Sequence, residues 1–486
     1  MMLLSQAALA IGGKIIGDDV RFTDVNFTAV STDTRSIAAG DLFVALRGPN
    51  FDGAAFTEAA AQSGAVAALI NADSSPSMRA TTSTIPFIVV DDTRLALGRL
   101  AAYWRMQFAI PVVAITGSNG KTTVKEMLAS ILKATGGSES VLATAGNFNN
   151  DIGLPLTLLK LRSNHRYAVI EMGMNHAGEI EYLSRLTRPD MALINNAGSA
   201  HLAGLGTVEA VARAKGEIFL GLSPEGIAII NADDLYAPLW RQLIGTRTVL
   251  DFGLDQNVAI HAQWQPTDEG AHIVVTTPQG KFSAQLRVPG AHNVRNALAA
   301  TAAAVALKVP LQAIARGLEN FTGVVGRMQR KAALHGAHLI DDSYNANPAS
   351  LRAALKVLMQ SAGKKILVLG DMGELGDDAV RMHSEAGAEA HHMGVAKLLA
   401  MGELTRHTVQ HFGANATHFD RLEDLLEELE KNLDANTTLL VKGSRFMHME
   451  RVVKHCVADK AAMLEDREEA TPANHAQPPA PYQFLE

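Results

Sequence analysis

Gly117, Gly120, Lys121, Thr122 and Thr123 fall close together, and that set of residue types suits a phosphate group. Glycines let backbone N–H groups turn toward an anion, and a helix N-terminus adds the positive end of its dipole. Lys121 would reach β/γ phosphates and Thr122 would offer its hydroxyl to Mg²⁺. The candidate nucleotide-binding set is therefore Gly117, Ser118, Asn119, Gly120, Lys121, Thr122 and Thr123. The usual phosphate-loop spacing would need glycine at 115, where this chain has Ile115, so the loop is the shorter Gly117-x-x-Gly120-Lys121-Thr122. An ordinary strand-to-helix turn with an exposed lysine is the alternative.

The flanking residues supply the elements such a loop requires. Val112 to Ile115 are apolar and partly β-branched, as in a buried strand, and residues 124–132 have helical spacing. Further alternation of apolar runs and amphipathic stretches follows, which predicts a mostly parallel sheet with helices on both faces. Ligands gather at the carboxyl ends of such strands. Tyr167-Ala-Val-Ile-Glu-Met-Gly173 ends in Glu171, and Met191-Ala-Leu-Ile-Asn-Asn196 leads to His201. Lys215 stands in an otherwise apolar helix. Singly, Glu171 could be a capping carboxylate and His201 a structural histidine. Together they meet one requirement: Mg²⁺ takes oxygen ligands and sometimes an imidazole, and the loop itself carries no acid.

At 486 residues the chain is too long for one core. Three α/β units are expected: residues 1–108, 109–325 and 326–458, followed by a charged, proline-rich mobile tail over 459–486. Hinges are expected near 108 and 325, where Pro111, Gly323 and Gly326 stand. Within the first unit, Ser31-Thr-Asp-Thr-Arg35 could hold a phosphate or sugar through Thr34 and Arg35, or be a turn with a local Asp–Arg pair. A second polar cluster is Arg47-Gly-Pro-Asn-Phe-Asp-Gly53. The net charge of −7 and the lack of a basic stripe argue against nucleic acid. The single cysteine, Cys456, excludes an intrachain disulfide and reads as a small buried hydrophobe. With neither a signal-peptide pattern nor an apolar run of about 18 residues, a cytoplasmic protein without membrane attachment is expected.

Beyond single residues, the chain resembles the Mur ligases, ATP-dependent amide ligases of peptidoglycan synthesis. The resemblance rests on Thr116-Gly-Ser-Asn-Gly-Lys-Thr122, Asn147-Phe-Asn-Asn-Asp-Ile-Gly-Leu-Pro155, Glu171-Met-Gly-Met-Asn-His176, His201, Ala214-Lys-Gly-Glu217, His292-Asn-Val-Arg-Asn296, Gly326-Arg327, Asp341-Asp-Ser-Tyr-Asn-Ala-Asn-Pro348 and Val441-Lys-Gly-Ser-Arg445. With Gly370-Asp-Met-Gly-Glu-Leu-Gly376 it is most similar to the branch that adds D-alanyl-D-alanine. The resemblance implies a central ATP-binding parallel-sheet domain between an N-terminal UDP-sugar domain and a C-terminal Rossmann-like domain. It implies ATP and Mg²⁺ as cofactors and, as substrates, UDP-MurNAc-tripeptide and D-alanyl-D-alanine, joined by a monomer through an acyl phosphate. Lys121, Lys215 and His201 are then the catalytic set, and Thr122, Glu171, His201 and Lys215 the metal shell, with Lys215 carbamylated or left as an amine paired with Glu217 or a phosphate. Asn293 would read adenine, Asp342 the ribose, and Arg327 would sit near the γ-phosphate. Thr34, Arg35 and Asn150 are the implied substrate contacts. A folylpolyglutamate-type ligase or a nucleotide-dependent switch are the rival expectations.

Overall fold

A computed structural model describes residues 1–16, 25–48, 51–74, 84–256, 258–268 and 270–457. The expected tail, 459–486, lies outside the described residues, as do Pro49 and Asn50 of the second polar cluster.

The central sheet has six parallel strands in the order Val141–Ala143, Tyr167–Glu171, Val112–Thr116, Met191–Ile194, Ile227–Asn231, Thr248–Phe252. Val112–Thr116 is buried at every position, as a strand covered on both faces must be. The chain leaves it in one direction toward Tyr167–Glu171 and later in the other toward Met191–Ile194. That reversal opens a crevice at its carboxyl end, the switch point where doubly wound sheets bind ligands. One face is covered by the helices Lys121–Gly136 and Ala291–Ala306. The alanine-rich second helix packs almost wholly buried, because small side chains allow close approach. An antiparallel meander, His261–Thr267, Gly270–Thr277 and Gly280–Leu286, packs into the same hydrophobic cluster as these helices, with a turn at Pro278-Gln279.

The first unit is built on five strands in the order Lys14–Ile16, Phe87–Val90, Ala67–Asn71, Asp41–Val44, Ala29–Ser31, parallel except for Lys14–Ile16. The third has six: Gln329–Ala332, His338–Asp342, Thr437–Lys442, Lys364–Gly370, Lys397–Met401, Ala416–Phe419, with only Gln329–Ala332 antiparallel. Cys456 is buried against this sheet, as its segment suggested.

The expected hinge near 108 is overturned. One hydrophobic cluster runs from Met2 to Ile244 and joins the first unit to the central sheet. Helix Thr93–Arg105 makes the join: Ala96, Leu97, Leu100 and Ala101 are buried in that cluster. On its rim Trp104 Nε1 donates to Leu161 O at 3.1 Å, Arg105 Nε to Thr187 O at 3.2 Å, and Arg94 to Asp151 Oδ1 at 2.7 Å. A hinge there would have to open this core to water, at roughly 25 cal/mol for every Å² exposed. The third unit has clusters of its own on the two faces of its sheet. Its contacts with the phosphate loop and with Ala203 are polar. Met382 of the third unit also packs against the first cluster, and the chain enters the third unit through Gly323 and Gly326, both at positive φ, +106° and +70°.

Candidate active site

The phosphate loop closes over the end of Val112–Thr116. Gly120 is left-handed at φ +79° and caps the helix that Lys121 begins. Asparagines from the neighbouring strand end hold the loop. Asn195 Nδ2 donates to Asn119 O and to Asn296 Oδ1, both at 2.9 Å. Asn119 N donates to Asn196 Oδ1 at 2.8 Å, and Gly198 N to Ser118 Oγ at 2.9 Å. Lys121 Nζ donates back to Gly117 O at 2.7 Å. Burial lowers its pKa from the ordinary lysine value, against the pull of the Glu171 charge. Thr122 and Thr123 begin the helix beside it, both buried.

Glu171 ends its strand beside Ile115 and is 2 % exposed. Asn149 Nδ2 donates to its Oε1 at 2.8 Å, while Oε2 is buried with no hydrogen-bond partner among the described residues. His201 precedes the short helix Leu202–Leu205 at φ +60°, and its Nδ1 lies 2.7 Å from Glu374 Oε2 of the third unit. Burial holds this histidine below its usual pKa range. Lys215, at the end of helix Val208–Gly216, is 1 % exposed. Among the described residues no carboxylate pairs with it. Burial, with the Lys121 charge, drives its pKa well down. Glu217 is not its partner: that carboxylate accepts from Gly178 N at 2.9 Å and Glu181 N at 3.2 Å, at the start of helix Glu179–Thr187.

No three His, Cys, Asp or Glu side chains among the described residues form a metal cage by themselves. The orphaned Glu171 oxygen, the Thr122 hydroxyl and the His201 ring nevertheless fit Mg²⁺, which is held by one or two carboxylates together with phosphate oxygens and water.

On the other side of the loop lies a cavity of about 280 Å³, walled by residues 118–123, by Asn293 and by Arg327 and Asp342 of the third unit. The Arg327 guanidinium stacks on Tyr344, 4.4 Å from the ring centroid, and its buried Nε has no hydrogen-bond partner among the described residues, so a donor remains for an anion. Asn293 Nδ2 donates to Pro289 O at 2.8 Å. Asp342 is paired with the fully buried Lys442, its register partner on the adjacent strand, and accepts from Met328 N at 3.2 Å. Asn347 Nδ2 donates to Asn119 Oδ1 at 2.8 Å, which brings the third unit onto the loop itself.

Thr34, Arg35 and Asn150 do not line this cavity. Arg35 is exposed and pairs with Asp33 at 2.5 Å, the local turn among the two expectations. Asn150 Oδ1 accepts from Gly153 N at 2.8 Å and so caps the helix Gly153–Leu158. The residues missed in the sequence are Asn149, Asn195, Asn196, Asn296, Asn347, Lys442 and Glu374. All of them act through polar contacts with residues far along the chain. The Glu171-ending strand next to an Asn-Asn pair was the one signal for Asn149.

Family patterns match along most of the chain: Mur ligase family, catalytic domain, over residues 26–105; Mur ligase middle domain over 115–304; and Mur ligase, glutamate ligase domain, over 326–445. The chain belongs to the Mur ligase family. Among Mur ligases it is 42 % identical to the UDP-N-acetylmuramoyl-tripeptide–D-alanyl-D-alanine ligase of Escherichia coli, over 93 % of this chain and 97 % of that protein. The Bacillus subtilis ligase of the same name is 37 % identical over 88 % and 93 %. A crystal structure of MurF from Acinetobacter baumannii superposes with a TM-score of 0.85 at 37 % identity, covering 93 % of this chain and 97 % of that one. MurF from Thermotoga maritima in complex with ADP gives 0.78 at 26 %, covering 91 % and 99 %. The three-unit Mur ligase architecture is thus the observed one, and no helix among the described residues is long and apolar enough to cross a membrane.

Proposed function

We propose that this Mur ligase joins D-alanyl-D-alanine to UDP-MurNAc-tripeptide with conversion of ATP to ADP and phosphate. One observation carries the choice over a folylpolyglutamate-type ligase or a nucleotide switch: near full-length similarity to ligases of that name, with a phosphate loop, an orphaned carboxylate oxygen and a buried lysine converging at its switch point. ATP and a UDP-linked substrate suit a cytoplasmic enzyme.

The chemistry follows from the substrates. A carboxylate is a poor electrophile, so its oxygen first attacks the γ-phosphorus, ADP leaves, and an acyl phosphate results. The dipeptide amine then attacks the carbonyl carbon, loses a proton, and inorganic phosphate departs as the amide forms. Lys121 and the amides of residues 118–123 hold the β/γ-phosphates and offset the charge that builds up in transfer. Arg327 approaches the γ-phosphate from the third unit, with a planar fork matched to phosphate oxygens. Asn293 and Asp342 frame the nucleoside end, Asp342 being held in place by Lys442. Thr122, Glu171, His201 and a carbamylated Lys215 are the proposed metal shell. Mg²⁺, when bound, neutralises phosphate charge. Asn149 sets the Glu171 rotamer. The first unit would carry the UDP-sugar, with Thr34, Arg35 and Asn150 as the contacts to test.

The decisive assay is ADP release against a panel of UDP-muramyl peptides and dipeptides. Release that requires both UDP-MurNAc-tripeptide and D-alanyl-D-alanine is expected. Steady ADP release indifferent to the amine would sink the ligase reading and leave a nucleotide switch.

The loop geometry supports a sharper prediction. A Cβ on Gly120 would stand 2.3 Å from Asn296 Oδ1 and 2.6 Å from Asn195 Nδ2, in a backbone conformation strained for any side chain. Gly120→Ala should therefore push the loop out of place, and a shift of about 1 Å can lower turnover about 100-fold. Circular dichroism should stay unchanged while ADP release collapses. Normal turnover would show that the loop does not position the reacting phosphate.

A further inference from the structure

The third unit places a carboxylate on His201 from a loop that has no other task in the reaction as described. Residues 371–376 connect the strand Lys364–Gly370 to the turn at Gly376–Asp378. The loop is fixed within its own unit: Asp371 Oδ1 accepts from Thr405 N at 2.8 Å, Met372 N donates to His383 Nε2 at 3.0 Å, and Gly373 N donates to Ser444 Oγ at 2.8 Å. Glu374 follows at φ +62°, a left-handed conformation unfavourable for a non-glycine residue and one that the surroundings must enforce. Facing it across the boundary is His201 at φ +60°, strained in the same way. Glu374 Oε2 lies 2.7 Å from His201 Nδ1, and Glu374 O accepts from Ala203 N at 3.3 Å. Two strained residues from separately packed units thus meet side chain to side chain.

We infer that Glu374 is a positioning residue that couples closure of the third unit to assembly of the metal site. Nδ1 makes no in-line hydrogen bond among the described residues, yet a carboxylate 2.7 Å away favours the proton on that nitrogen and leaves the Nε2 lone pair for a metal, the arrangement by which a second carboxylate commonly orients a ligating histidine. Here that carboxylate comes from the third unit, so the imidazole is oriented only when the third unit is docked. Nucleotide–metal binding and docking then favour one another, because each is worth more in the presence of the other. The inference rests on His201 belonging to the metal shell proposed above.

The test uses the whole chain with Mn²⁺ and a non-hydrolysable ATP analogue, without the peptide substrates. Mn²⁺ affinity is followed by electron paramagnetic resonance, and domain docking by small-angle scattering. Losing such an orienting partner typically weakens metal binding about 10–100-fold. Glu374→Ala should show that loss, and the fall in radius of gyration expected of the wild type on adding Mn²⁺ and the nucleotide should be absent. Glu374→Gln keeps a neutral acceptor for the Nδ1 proton and should lose less, which also guards against a folding defect in the alanine variant. Wild-type Mn²⁺ affinity and an unchanged scattering response in Glu374→Ala would overturn the inference. If the wild type itself bound no Mn²⁺ with the nucleotide, the metal-shell reading would fall first, and this inference with it.

Discussion

Replacing Lys121 by alanine should lower turnover at least about a thousandfold and leave the protein folded. The magnitude comes from the kind of interaction removed. A preorganised charge aimed where negative charge develops contributes about 3–4 kcal/mol to the barrier when it is a neutral donor, and an ammonium on a phosphate contributes no less. The fold should survive because the side chain packs in neither central hydrophobic cluster and, among the described residues, its ammonium donates only back to Gly117 O, at 2.7 Å. Burial already works against its charge in the free loop, so the cation is held ready for an anion that offsets that penalty. Acyl-phosphate formation should vanish when the variant is given ATP and the UDP-tripeptide and the intermediate is trapped with hydroxylamine. Near-normal turnover in the purified, folded variant would mean that the phosphates lie elsewhere. A lost Michaelis complex with unchanged kcat would mean that Lys121 binds substrate and transition state alike.

What the sequence revealed of this site depends on how local each contact is. The phosphate loop was legible because strand, glycine turn, lysine and helix are contiguous, and the buried strand needed only its run of apolar residues. Glu171 was legible as the polar end of such a run. Pairings made by the fold were not. Asp342 and Lys442 are register partners on neighbouring strands, yet their separation along the chain hides the ion pair that occupies Asp342. Two adjacent asparagines illustrate the same limit. Asn149 turns to Glu171 and Asn150 caps a helix, a division decided by backbone direction and not by residue type. Helix Thr93–Arg105 buries Ala96, Leu97, Leu100 and Ala101 at helical spacing, but nothing in the sequence names the surface that stripe covers. Hence a hinge was expected where the units share one core. Glu374 stood in the sequence only as one letter of the Gly370–Gly376 motif, with no role attached, since its meaning lies in a histidine on another unit.

Lys215 carries the other large effect. A fully buried ammonium facing a second cation, with no carboxylate against it among the described residues, is an unstable arrangement that costs several kcal/mol unless the group changes its charge. It can release its proton and remain an amine. As an amine it can also add to CO₂, forming an N–C bond and releasing one proton, to give a carbamate anion. The second course does more for this site. It replaces a charge that would repel a metal with an oxygen ligand next to Glu171 and His201, and it removes the repulsion with Lys121. The Glu217 carboxylate, which could have stabilised the unmodified cation, is committed to Gly178 and Glu181. Lys215→Ala should therefore abolish turnover, and formate or another small carboxylate should restore part of it by supplying the missing anion. Gently handled wild-type protein should carry the added mass of one CO₂, lost on acidification because protonation of the carbamate nitrogen releases it. An alanine variant with full activity would remove Lys215 from the metal shell. An inactive variant that no carboxylate rescues, with no added mass on the wild type, would instead assign the residue as an unmodified amine that meets a phosphate directly.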